Sequence, residues 1–186
     1  METTGGADEP RDLPAPEDDG ACDHLPGTSL PSLGLLSTSG REVRLSDLPG
    51  RSVVFCYPRT AGPGEELPVG WDLIPGARGC TPETCSFRDH HDDFTDLGVS
   101  VFGLSTQTTG YQEEMVGRLG VRFDVLSDAR LALTNALGLP TFRVEGMTLV
   151  KRLTLVIEDG TIGHVFYPVF PPGGHAAEVL TWLLSN

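Results

Sequence analysis

The apolar residues of this chain fall into short runs with two different periods. Ser52-Val53-Val54-Phe55-Cys56-Tyr57 is apolar at nearly every position and is stopped by Pro58, which predicts a central strand buried on both faces. Val99–Leu104 and Phe123–Leu126 predict two more strands. Between the first two, Phe87, His91, Phe94 and Leu97 share one face of a helix running from Thr81 to Leu97 and stopped at Gly98. Helices are also predicted from Thr109 to Leu119, from Ser127 or Asp128 to Leu137, and from His175 to Ser185. Leu149–Ile157 and Ile162–Tyr167 read as a hairpin across Asp159-Gly160. Leu30–Leu36 and Glu42–Leu45 read as short edge strands. Helix–strand alternation gives a parallel portion and the hairpin adds antiparallel strands, so the expected class is α/β with a mixed central sheet.

Two segments break the pattern. Residues 1–28 are rich in Asp, Glu, Gly and Pro with few apolar positions, and are expected to form a disordered acidic tail ahead of one domain spanning 29–186. Cys22 is then a mobile surface thiol. The stretch from Arg59 to Gly79 is too long for an ordinary connection, and Trp71 and Ile74 would anchor it as a lid.

The 186 residues carry a net charge of −13, and residues 1–24, with eight acids and one base, account for −7 of it. Nucleic acid and anionic membrane are therefore unexpected partners. No apolar run reaches transmembrane length, and the polar, acidic start is unlike a signal peptide, so a cytoplasmic location is expected. Four cysteines in that setting point to redox, catalytic or metal roles rather than a structural disulfide framework. Cys56, inside the central strand, reads as a small core hydrophobe.

Gly79-Cys80-Thr81-Pro82-Glu83-Thr84-Cys85-Ser86-Phe87-Arg88-Asp89 concentrates the chemistry. Pro82 suits the first helical position and Thr81 the N-cap, which would put Cys80 at the positive end of a helix dipole. A dipole and one guanidinium there would lower its pKa by a unit or two (~1–2) and favour the reactive thiolate. Cys80 is thus a candidate nucleophile and Cys85 its candidate disulfide partner. Residues five apart on a regular helix have Cα atoms roughly 8.6 Å apart, beyond the ~7 Å limit for a disulfide. A Cys80–Cys85 bond therefore requires the first turn to unwind.

This motif resembles the active-site segment of the peroxiredoxins, and most of all the Q type, also called bacterioferritin-comigratory protein. Tyr57-Pro58, Leu104-Ser105 and Arg152-Leu153-Thr154-Leu155-Val156-Ile157 resemble further family segments in the same order, and the likeness spans roughly residues 28–186. The resemblance implies a thioredoxin-like fold that reduces hydroperoxides without a cofactor or metal. It makes Cys80 the peroxidatic cysteine, Cys85 the resolving cysteine, Arg152 the arginine that supports thiolate and peroxide, and Glu83 the acid that holds that arginine. A thioredoxin-like donor would recycle the pair, in a monomer or homodimer. Two departures stand out. Ala77 occupies the place of a hydroxyl residue that contacts peroxide in the family, and an insertion separates Tyr57-Pro58 from Cys80. Thr60 is the candidate to return that hydroxyl and bind substrate.

Two other classes remain open on the residues alone. One is a thioredoxin-like sensor or binding protein without peroxidase turnover, which Ala77 favours. The other is a zinc module drawing on Cys80, Cys85, His90 and His91, although neighbouring histidines on a helix point about 100° apart.

Overall fold

The computed structural model describes residues 13–186. Its main sheet has seven strands: β1 (Gly34–Ser37), β2 (Glu42–Arg44), β3 (Arg51–Cys56), β4 (Ser100–Ser105), β5 (Val125–Ser127), β8 (Leu153–Glu158) and β9 (Thr161–Phe166). They lie in the order β2-β1-β5-β4-β3-β8-β9. β3 pairs parallel to β4 and antiparallel to β8, with Cys56 opposite both Leu104 and Leu153. The sheet is therefore mixed, as the alternation of elements predicts. β1 is an interior strand, paired with both β2 and β5.

The period of two along the strands makes two cores. Val53, Phe55 and Tyr57 face one side, packed with Phe87, Phe94, Met115, Val179 and Leu183. Val54 and Cys56 face the other, with Leu104, Leu133, Leu155 and Ile157. Among the described residues five α-helices cover these faces: α1 (Cys80–Asp89), α2 (His91–Asp96), α3 (Thr109–Leu119), α4 (Ala132–Leu137) and α5 (His175–Ser185). Phe87 stacks on Phe55 with ring centroids 4.3 Å apart, fixing α1 against the central strand.

Several elements differ from the sequence reading, each for a local reason. The helix expected over Thr81–Leu97 is two helices, broken at His90, whose φ of −95° and ψ of 9° leave the helical region. Phe87 and Phe94 are fully buried, but Leu97, which follows the end of α2 at Asp96, is exposed. The strand expected over Leu149–Ile157 is also divided. A separate hairpin pairs β6 (Thr141–Val144) with β7 (Met147–Val150), and the chain bends at Lys151-Arg152 before β8. Its turn, Glu145-Gly146, has φ values of 48° and 77°, the left-handed pair that a tight two-residue hairpin needs. α4 begins at Ala132, later than expected, because Leu131 is left-handed and Asp128 caps the helix by accepting from the backbone N–H groups of Leu133 and Thr134.

The expected disordered tail is corrected over 13–28, while residues 1–12 lie outside the described residues. Cys22 and Leu25 are buried in the core shared with Cys56, so Cys22 is not a surface thiol. His24 Nε2 lies 2.8 Å from the Leu137 carbonyl oxygen, and Asp19 accepts hydrogen bonds from Tyr167 and Lys151. Average polarity hid two apolar anchors. Replacing Leu25 with alanine should lower unfolding stability by about 2–5 kcal/mol, as for any fully packed leucine. A urea melt showing no change would mean that this segment is not docked.

Candidate active site

Cys80 is the first residue of α1, and the conformation that puts it there belongs to Gly79. Gly79 is left-handed, with a φ of 106°, and occupies the N-cap position without any side-chain cap bond. This corrects the expectation that Thr81 caps the helix with Pro82 at its first position. Pro82 is the third helical residue, where its missing N–H still costs nothing. Thr84 instead ties the first turn down, its hydroxyl donating to the Cys80 carbonyl at 2.8 Å.

Cys80 is 5% exposed, and its sulfur meets groups from two other parts of the chain. Arg152 Nη2 donates to Sγ at 3.1 Å, and the thiol itself donates to the Ala77 carbonyl at 3.7 Å. The backbone N–H of Arg59, just past β3, also faces the sulfur. Nη2 bonds the carbonyls of Ala77 and Arg78 at 3.3 and 3.2 Å, while Nη1 donates to Glu83. Glu83 and Arg152 are buried to 0% and 3% exposure. The bend at Lys151-Arg152 takes Arg152 out of the strand ladder and lets its side chain reach α1.

The balance of charge differs from the sequence expectation. Burial pushes the Cys80 thiol up, and Arg152 with the Arg59 N–H only partly offsets that. The resting sulfur is therefore a thiol, not a dipole-activated thiolate. Desolvation also raises Glu83, to about 7, against the pull of Arg152. Desolvation works against the Arg152 charge, but the neighbouring Cys80 and Glu83 outweigh it and raise its pKa, so the guanidinium stays charged. The folded state thus holds the Glu83 proton up to about 7, whereas an ordinary glutamate gives it up near 4.5. This group's contribution to stability falls as pH rises between those values and is level above them.

Cys85 lies one turn further along α1, half-buried and unbonded to Cys80. The helix is regular between them, so the spacing of roughly 8.6 Å between Cα atoms applies. Thr60 is buried next to the site, but its hydroxyl points towards Gln107 Oε1 at 3.5 Å. Gln107 also bonds the Thr60 backbone from both sides, accepting from its N–H at 2.9 Å and donating to its carbonyl at 2.8 Å. Ala77 is fully buried and contributes its carbonyl rather than a side chain. The 59–79 connection is packed rather than open: Trp71 joins Ala77 and Leu149 in a third core and lies 6.0 Å from Phe142.

Sequence reasoning missed Gln107, the Arg59 N–H and His175. His175, buried at the start of α5, lies 2.8 Å from both Thr154 Oγ1 and Glu178 Oε2, and burial lowers its pKa. It sits edge-on to Phe87 of α1. Its partner Thr154 is 21 residues distant, so no local pattern marks it. Among the described residues no group of three or more His, Cys, Asp or Glu side chains converges on a metal position. His90 pairs with Asp93 and His91 packs on Phe123, which separates them from the cysteines.

The pattern of the redoxin family matches residues 25–182, most of the chain. The chain belongs to the redoxin family. Relatives of this redoxin include a peroxiredoxin Q, chloroplastic, from Oryza sativa subsp. japonica, 29% identical over 86% of the chain. This redoxin spans 66% of that relative's length. Peroxiredoxin Bcp from Escherichia coli is 28% identical, over 86% of this chain and 96% of that protein. Among solved structures, peroxidoxin BcpB from Mycobacterium tuberculosis superposes with a TM-score of 0.69 at 28% identity, covering 87% of this chain and 98% of that one. PrxQ from Xylella fastidiosa, at 22% identity and a TM-score of 0.70, shares the fold. The thioredoxin-like α/β architecture of the redoxin is thus the one these proteins have.

Removing either partner of the Glu83–Arg152 pair leaves the other charge buried alone. Glu83→Ala and Arg152→Ala should each destabilise the fold by about 3–5 kcal/mol. The double variant should lose clearly less than the sum. Additive losses in chemical denaturation would show that the two residues do not act as a pair.

Proposed function

We propose that this redoxin is a thiol-dependent peroxidase, with Cys80 as its peroxidatic and Cys85 as its resolving cysteine. The observation that carries this reading is the Arg152 Nη2 contact to Cys80 Sγ, 3.1 Å long, made by a guanidinium that Glu83 holds from behind. A positive group at that distance stabilises the sulfur when it ionises and the peroxide oxygen that approaches it. The Cys80 thiolate attacks one peroxide oxygen: an S–O bond forms, the O–O bond breaks, and the alkoxide or hydroxide leaves and takes a proton. Cys80 is then a sulfenic acid. The Cys85 sulfur attacks it, forming the S–S bond and releasing water, once the first turn of α1 unwinds. A thioredoxin-like dithiol reduces the disulfide by exchange.

Glu83 acts by orienting Arg152. Thr60, whose hydroxyl has only a long contact to Gln107, supplies the side-chain hydroxyl to peroxide that Ala77 lacks. Hydrogen peroxide and organic hydroperoxides are the substrates, and the working unit is a monomer or homodimer. No described helix is long and apolar enough to cross a membrane, and the cytoplasm is the compartment that fits reducible thiols.

Cys80→Ser should abolish peroxide consumption. Cys85→Ser should leave the first turnover intact and accumulate the sulfenic acid. Peptide mapping after one equivalent of peroxide should find Cys80 joined to Cys85; a stable sulfenic acid or a Cys22 link in the unaltered chain would refute the scheme. The stopped-flow rate should rise steadily across about pH 5–9, because both the raised Cys80 thiol and Glu83, at about 7, must ionise. A rate that falls with pH would rule out this protonation scheme.

A further inference from the structure

Residues 13–20 lie outside the part of the chain that matches the redoxin family, which begins at 25. They nevertheless border the site. They form one wall of a cavity of about 390 Å³ whose opposite wall includes Arg152, the guanidinium that bonds the Cys80 sulfur. Arg152 Nε is buried without a hydrogen-bond partner among the described residues. Ile74, Phe142 and Val169 give the cavity an apolar lining, and Pro16 closes over Gly76.

One residue fastens this strap. Asp19 accepts from Tyr167 Oη at 2.9 Å and from Lys151 Nζ at 3.1 Å, and both donors are themselves cavity residues. Beyond the left-handed Gly20, Cys22 and Leu25 are anchored in the core. The strap is thus fixed at its C-terminal end, by the surface tether of Asp19 and by the burial of Cys22 and Leu25 just beyond it. The charges in the cavity do not cancel. Arg152 is offset by Glu83 and Lys151 by Asp19, while Glu17 forms no ion pair among the described residues.

We propose that the strap is a specificity element. It narrows the approach to Arg152 and, through Glu17, favours compact uncharged hydroperoxides over long carboxylate-bearing ones. This rests on the peroxidase reading. The strap limits size because Pro16 and Asp19 line the cavity beside Arg152; it limits charge because a carboxylate would enter beside Glu17, which has no ion pair among the described residues.

The test compares kcat/KM for hydrogen peroxide, cumene hydroperoxide and linoleic acid hydroperoxide in the full chain. Asp19→Ala, which removes both tethers, should raise the values for the two bulky substrates by about fivefold relative to hydrogen peroxide. Glu17→Gln leaves the tethers in place and should raise only the value for the carboxylate-bearing substrate, again by about fivefold, the size of one like-charge interaction at about 4 Å through water. Hydrogen peroxide should change by less than about twofold in either variant, since it needs neither room nor charge relief. Unaltered ratios in both variants would overturn the proposal. Loss of turnover with every peroxide in the unmodified chain would instead overturn the peroxidase reading.

Discussion

The Arg152 guanidinium is the group on which the rest of the site depends. It is almost wholly out of water, yet it bonds a carboxylate, a sulfur and two carbonyls, all from residues 77–83. Burying such a cation alone would cost several kcal/mol. The cost is offset because both Nη groups have acceptors, Nε alone having none among the described residues, and because Glu83 supplies the opposite charge once it ionises. Desolvation still dominates for the partners: it keeps Glu83 protonated until about 7 and holds Cys80 as a thiol. The site is therefore poised rather than permanently ionised, and Arg152 ensures that the anionic sulfur, when formed, has a partner in place.

The fold supplies this arrangement through two backbone irregularities. The bend at Lys151-Arg152 releases an arginine from a strand ladder that would otherwise point it along the sheet face. The left-handed Gly79 starts α1 at the sulfur itself. Between them, β3 ends at Cys56 and brings the Arg59 N–H to the same point. The helix that positions Cys80 also keeps Cys85 out of bonding range, so the proposed chemistry requires α1 to be ordered for attack on peroxide and opened for resolution. Phe87, stacked on Phe55 and edged by His175, marks where that opening must stop if the core is to survive.

Much of this was legible in the chain. The unbroken apolar run at Val53–Tyr57 specifies a central strand because only burial on both faces suits it. Cys80, Glu83 and Cys85 carry a spacing that itself excludes a disulfide within a regular helix. The two anchors of the N-terminal segment were not legible, because Cys22 and Leu25 are single apolar positions in an acidic context and become core only when a sheet face lies opposite. The β6–β7 hairpin was also missed, because its first strand alternates weakly and only Lys151-Arg152 separates its second from β8.

The sequence by itself determined the class of fold, the alternation of its main strands and helices and the spacing of the cysteine pair, since these follow from local periodicity and short spacings. Tertiary structure decided the rest. It placed Arg152, 72 residues away, against the Cys80 sulfur and set the thiol's ionisation by burial. It turned the Thr60 hydroxyl to Gln107 and drew an acidic segment across the cavity beside Arg152. Desolvation and long-range contact are properties of the packed chain, and no pattern of neighbouring residues encodes them.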